Sequence, residues 1–391
     1  MHVKKLLSAV IVLLSFTMAH ATHIVGGYIS YRFISGTTYE IKLTIYRDCN
    51  STTPFDGTPG ATTSAIVGLF DTNGNLITTY PLTDPLITSI DPPNDNPCLQ
   101  ITSPACVEQG VYTEIITLPS GTAGYTLVHE RCCRNGTITN VFDPGSEGAV
   151  YSAAIPPTNT YQNTSPVFNN QPPLFICLNS PLVFNYSATD ADGDVLTYSL
   201  CTPYSGGNTT NPAPDPPVGP PFNNINWQSP YSLNNLLGGT PALAIDNTTG
   251  VLTAKPNTVG QFVFGVCVSE YRNGALLGTY LRDYQVNVTE CNIPIASIPS
   301  FAINPNTGIG TYVVNCTNLN IDFINASYNP PPSYYHWDFG VAGATNDTSN
   351  LTNPSFTYPD SGSYLVTLIA YKTPSGGQTC QDTTRAYVYV Y

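Results

Sequence analysis

The sequence predicts an all-β protein built as a series of β-sandwiches, and three observations carry that prediction. Helical periodicity is nearly absent. Short runs rich in β-branched and aromatic residues recur along the chain: Thr38 to Tyr46, Tyr112 to Leu118, Tyr125 to His129, Val183 to Ser187, Val195 to Leu200, Gln261 to Val268, Tyr280 to Val288 and Tyr364 to Tyr371. Each is bounded by Gly, Pro, Asn or Asp, as strands and turns are. The composition agrees, because 26 Tyr, 35 Pro and 31 Gly among 391 residues favour strands and turns over long helices.

The length suggests two or three domains at roughly 150 residues each. With 41% hydrophobic and only 9% charged residues, the chain can bury cores large enough to offset ordering entropy. A formal net charge of −13 and a pI near 4.5 argue against a nucleic-acid ligand, since phosphate backbones need clustered Lys and Arg.

The N-terminus has the three parts of a secretory signal. Lys4 and Lys5 precede an apolar run from Leu6 to Met18, and Ala19-His20-Ala21 is a small-x-small cleavage site. Cleavage after Ala21 would take the net charge from −13 to −15. No later segment approaches the ~18 uninterrupted apolar residues of a membrane span. An extracellular or outer-surface location follows, where Cys residues form disulfides. The 11 Cys leave at least one unpaired or bonded to another chain, which opens a route to self-association. Zinc is a poor alternative, because no CxxC pair occurs and Cys132-Cys133 is not a ligand spacing.

Proline-rich stretches divide the chain after the signal (1–21) into segments 22–165, 166–291 and 292–391. A further Pro, Gly and Asn stretch, Pro203 to Pro221, reads as a long surface loop inside the second segment.

In the third segment, Trp337-Asp338-Phe339-Gly340 is followed by Asn353-Pro354-Ser355-Phe356-Thr357-Tyr358 and by Gly362-Ser363-Tyr364-Leu365-Val366. This ordered set closely resembles the polycystic kidney disease (PKD) domain, and implies a small Ig-like sandwich with Trp337 and Phe339 as core anchors, Gly340 in a turn and Tyr358 opening a corner. Val341 departs from the family, which usually has a turn former there. Cys316 and Cys380 are the only Cys of this segment, near its first and last strands, and are expected to pair. Such a link could add about 4 kcal/mol by the chain-entropy model.

The second segment carries Ser187 to Ser199, with Asp190, Asp192, Gly193 and Asp194, then Ile245 to Leu252 and Gly260 to Phe264. This order resembles cadherin-like and Ig-like repeats of bacterial surface proteins. In the first segment, His23 to Ile29, Tyr46-Arg47-Asp48-Cys49 and Cys132-Cys133-Arg134-Asn135-Gly136 resemble N-terminal regions of large secreted Bacteroidetes proteins. Those are gliding-motility-associated or type IX secretion cargo, which usually carry a C-terminal sorting domain. Here Tyr391 directly follows the last expected strand, so either the chain is truncated or export takes another route.

Three carboxylates within five residues, Asp190, Asp192 and Asp194, suit a hard cation such as Ca²⁺, with Glu270 as a further ligand on fold analogy. The plainer reading is a solvated Asp and Gly turn. Gly193 in the fourth position and Cys201 in the twelfth exclude an EF-hand.

Catalysis has little to work with. His129 is the one histidine candidate beyond His23 and His336, and His129-Glu130-Arg131 lacks HExxH or GxSxG context. Arg47-Asp48 and Arg282-Asp283 read as local ion pairs at strand ends. Tyr334-Tyr335 could offer a contact surface, whereas the alternation of Tyr387 to Tyr391 fits a final strand with one face in the core. The expected function is non-catalytic: a structural or adhesive surface protein contacting surface proteins or glycans, with an association to gliding motility implied by the resemblance. The alternative is a secreted carbohydrate-active or proteolytic enzyme, marked by a deep cleft within 22–165 lined by carboxylates or His129.

Overall fold

The computed structural model describes residues 24–90, 106–120, 123–291, 294–303, 309–316, 318–328, 330–373 and 379–391. The signal segment and Cys98 therefore lie outside the described residues. The described residues are all-β, in several sheets, with one short 3₁₀ turn among them at Pro144–Ser146.

An eight-stranded sheet forms the spine. Its strands run in the order Val195–Cys201, Gly260–Arg272, Ala275–Thr289, Ile24–Ser35, Thr38–Asp48, Val107–Thr117 and Leu86–Ile90, and Phe175–Cys177 pairs in parallel with Ala275–Thr289. The spine thus takes strands from both sides of the 165/166 division. At the seam Gly26 faces Tyr284 and Gly27 faces Asp283. Small residues are needed here, because a Cβ at Gly27 would lie 2.6 Å from the Thr44 carbonyl oxygen.

Two layers cover the spine. A six-stranded sheet that includes Ala65–Asp71, Tyr125–Arg131 and Ala149–Ile155 packs on the first half, burying Ile29, Tyr39, Leu43, Val67, Leu127 and Tyr151. A three-stranded sheet, Leu182–Asn185, Val251–Ala254 and Ala244–Ile245, helps cover the other half over Phe262, Phe264, Tyr284 and Val286. Covered strands lose the alternation of a half-exposed strand. All seven residues from Tyr280 to Val286 are buried, including Arg282, Asp283 and Gln285.

Those buried charges find long-range partners. Asp283 pairs with Arg134, with Nη2 to Oδ2 at 2.5 Å, and both side chains are fully buried. Arg282 lies against the rings of Tyr28, Tyr46, Phe168 and Tyr186 and donates to the Tyr46 hydroxyl at 2.6 Å. Neither is the local pair expected from sequence, because adjacent strand residues point to opposite faces. Arg47 likewise pairs with Glu108 at 2.7 Å, across the sheet, rather than with Asp48. The Pro203 to Pro221 stretch is pinned by Glu130, which accepts from the Gly207 and Val218 amides at 2.8 and 2.6 Å.

Disulfides join Cys49 to Cys106, Cys132 to Cys133, Cys177 to Cys291 and Cys201 to Cys267. The expected bond between Cys316 and Cys380 is not formed, and Cys316 is free and exposed. The register explains why. Gly310–Asn315 runs parallel to Cys380–Val390 with Asn315 opposite Val390, so Cys316 lies past one end of the strand that Cys380 begins. Ten strand residues span ~30 Å, whereas a disulfide needs Cα atoms about 4–7 Å apart.

The C-terminal sandwich sets the sheet containing Tyr334–Asp338, Gly362–Lys372 and Cys380–Val390 against the pair Asn320–Asp322 and Ser355–Thr357. Trp337, Phe339, Phe323, Tyr358, Val366 and Val388 form its core. Tyr387 and Tyr389 face outward while Ala386, Val388 and Val390 face in. The Asp382 carboxylate, accepting the Ala296 amide at 2.9 Å, ties this sandwich to the chain leading into it.

Candidate functional site

The aspartate turn is built by its own backbone. Asp190 Oδ1 accepts the amides of Asp192 and Asp194, each at 2.9 Å, and Gly193 supplies the positive φ of 83° that closes the turn. The chain then enters Val195–Cys201, whose register sets Leu196 opposite Glu270. Glu270 and Arg272, two apart on one strand, therefore share the face beneath the turn. Carboxylate oxygens of Asp190, Asp192, Asp194 and Glu270 all lie within 4.8 Å of one another. The sequence placed Glu270 here only by analogy; pairing register brings it in.

Arg272 was not expected here. Its guanidinium holds Asp194 through two bonds, Nε to Oδ1 at 2.8 Å and Nη2 to Oδ2 at 2.6 Å, and reaches Asp192 at 3.3 Å. It also donates to the Asn163 side-chain oxygen at 2.7 Å and to the Gln162 carbonyl at 3.2 Å. The Thr164 amide donates to Asp192 at 2.7 Å, so the cluster anchors the connector at 162–164.

Glu270 is fully buried, and one of its oxygens accepts from the Tyr280 hydroxyl at 2.7 Å and from Asn163 at 3.0 Å. Burial pushes its carboxyl up to about 8, against the pull of those two bonds. Asp194 is held below the ordinary range, chiefly by Arg272. Two buried oxygens, Asp190 Oδ2 and Glu270 Oε1, have no hydrogen-bond partner.

A second polar region surrounds His129. A cleft of about 430 Å³ is lined by Thr52, Thr53, Asp56, Thr63 and Arg131. At its base Arg131 holds Asp56, with Nε to Oδ2 at 2.8 Å and Nη2 to Oδ1 at 3.1 Å, and Thr63 donates to Oδ1 at 2.6 Å. His129 is buried behind this pair, 2.8 Å from the Ile66 carbonyl, and burial pushes its imidazole down. Sequence reasoning missed Asp56, which carries no motif and lies 75 positions from Arg131.

The C-terminal motif residues are structural. Trp337 is buried and donates its indole N–H to the Leu351 carbonyl at 3.1 Å. Asp338 caps the turn by accepting the Gly340 amide at 2.8 Å, and Gly340 has φ 77°. Val341 packs against the core while its amide donates to Asp347 at 2.8 Å, so the departure at this position keeps a closed turn. Asn353 accepts the Asn325 amide at 2.8 Å and Pro354 the Phe323 amide at 2.8 Å. Tyr358 stacks on Tyr364 at 4.1 Å, just after Gly362 begins the long hairpin strand.

No family model and no curated protein matches the chain. Among solved structures it is similar to the N-terminal four Ig domains of Dscam1 isoform 6.44, at 13% identity, over 94% of this chain and 78% of that one, with a TM-score of 0.19. For Dscam1 isoform 7.44 the values are 10% identity, 94% and 73% coverage and a TM-score of 0.17. The extracellular cadherin domains 1–5 of protocadherin gamma B2 follow at 13% identity, 93% and 66% coverage and a TM-score of 0.18. Superpositions this loose carry no weight for fold or function, which rest on the chain's own sheets and side chains.

Proposed function

We propose that the chain is an extracellular or cell-surface structural protein that acts without catalysis, as a rigid element presenting surfaces to other proteins or to glycans. The observation that carries this reading is the spine sheet: it runs unbroken from Val195–Cys201 to Leu86–Ile90. The buried Arg134–Asp283 pair and the Cys49–Cys106, Cys177–Cys291 and Cys201–Cys267 disulfides reinforce it. Disulfides fit an oxidising compartment. The resemblance to PKD-containing, gliding-motility-associated surface proteins belongs to the same proposal, as does cleavage after Ala21.

The enzyme alternative is less well supported. Both Asp56 oxygens are engaged by Arg131, and His129 Nδ1 is engaged by a backbone carbonyl.

The site at Asp190, Asp192, Asp194 and Glu270 fits Ca²⁺, because its donors are hard oxygens and two of them are buried without partners. Bound there, the ion would neutralise facing carboxylates and stiffen the turn. Thermal unfolding of the secreted protein with Ca²⁺ and with chelator tests this, alongside binding to intact cells and to a glycan array. A Ca²⁺-dependent rise in Tm that disappears in Asp190→Asn is the expected outcome, since a ligand selective for the native state stabilises it. An unchanged Tm, or hydrolysis of an arrayed glycan, would overturn the respective part.

A further inference from the structure

We propose that Arg272 and a divalent cation are alternative occupants of the carboxylate cluster, with Arg272 serving as a built-in substitute for the ion. This rests on the cation reading above and goes beyond it by naming what sets the site's affinity.

The guanidinium donates to four oxygens, both of Asp194, the side-chain oxygen of Asn163 and the carbonyl of Gln162, and lies 3.3 Å from a fifth, on Asp192, as an ion pair. Carboxylate, amide and backbone carbonyl oxygens converging on one positive group form the ligand set of Ca²⁺, which takes about six to eight such atoms. The unpartnered oxygens of Asp190 and Glu270 lie in the same cluster, and Glu270 is fully buried. Arg272 compensates part of the negative charge and leaves these two unserved, because a planar fork cannot turn toward every oxygen around it.

The exchange is sterically open. The Arg272 side chain is 24% exposed and Asp192 29%, so the guanidinium can swing outward while the turn and Glu270 stay in place. The cation then takes over the connector's oxygens at Gln162 and Asn163. The 162–164 connector is consequently held from this side in either state, and with both occupants missing it keeps only its bonds to Asp192, Glu270, Tyr31 and Phe33.

Calcium binding, followed by calorimetry, and hydrogen exchange of the Thr164 amide are compared in the full secreted chain and in Arg272→Met. The variant should bind Ca²⁺ about tenfold or more tightly, the competing charge being gone. Its Thr164 amide should exchange faster in chelator than in Ca²⁺, because Asp192 is then left without a counter-charge, whereas the unaltered protein protects it equally in both. Arg272→Lys keeps a point charge without the fork, and should fall between the two. Should Arg272→Met fold only when Ca²⁺ is supplied, that dependence is itself the expected result. Affinity in Arg272→Met and Arg272→Lys no higher than in the unaltered chain overturns the exchange and leaves the cation reading standing. Absence of Ca²⁺ binding in all three overturns both.

Discussion

The spine and the C-terminal sandwich solve one problem differently. Both cover a central sheet, but the spine encloses Arg134, Asp283, Arg282 and Glu270, whereas the C-terminal core is a stack of Trp337, Phe339, Phe323, Phe356 and Tyr358. Among the described residues of that sandwich, Asp347 is the one buried charged side chain. An apolar core tolerates approximate partners, while a buried charge needs one partner in one place. The spine should therefore fail abruptly when a partner is lost, and the sandwich in proportion to the volume removed.

The most far-reaching effect is expected for Asp283→Ala. It leaves the Arg134 guanidinium buried with its principal counter-charge gone, and should cost about 3–5 kcal/mol in urea denaturation. Replacing both partners with apolar residues, Arg134→Met with Asp283→Leu, should recover much of that loss. If the double variant is as unstable as the single one, the pair acts through more than its charges, since Arg134 also donates to the Gly148 carbonyl at 3.1 Å.

Trp337→Ala offers the contrast. It removes the largest fully buried side chain and one hydrogen bond to Leu351, at ~3–5 kcal/mol for a core aromatic. The loss should stay local. Hydrogen exchange should accelerate in Gly362–Lys372 and remain unchanged in Gly260–Arg272. Acceleration in both would mean that the sandwich and the spine unfold as one unit.

The same contrast explains what could be read in the sequence. Trp337 and Phe339 alternate within one short run, so their shared core face was legible, and Tyr358, expected only to open a corner, joins them in that core. The clustering of Asp190, Asp192 and Asp194 was legible too, as three residues within five positions of one turn. The Arg134–Asp283 pair spans 149 positions, and Glu270 joins the aspartates only through the register of its strand. Nothing local records such pairings. Cys316 and Cys380 show the converse: lying near the first and last strands does not bring them together, because a parallel register puts them at opposite ends.

The smallest effect is expected at His129, and it sharpens the comparison because it sets the sheet that covers the spine against pH. The imidazole faces the Ile66 carbonyl, the Tyr151 ring, Asp56 and Arg131. Burial and Arg131 favour the neutral ring, and the Ile66 carbonyl and Asp56 oppose them with less effect, so its pKa lies below the ordinary 6.5. Above pH 6.5 both folded and unfolded chains hold the neutral form, and stability is unaffected. Below it the unfolded chain takes up a proton that the folded chain resists, so stability is lost as pH falls from about 6.5 toward the folded pKa, by at most about 1.4 kcal/mol per pH unit. His129→Asn keeps an N–H for Ile66 and removes the titration, so its stability should be flat across that window. Hydrogen exchange in Tyr125–Arg131 should rise on acidification in the unaltered chain and not in the variant. An equal rise in both would assign the acid sensitivity of the covering sheet to buried carboxylates instead.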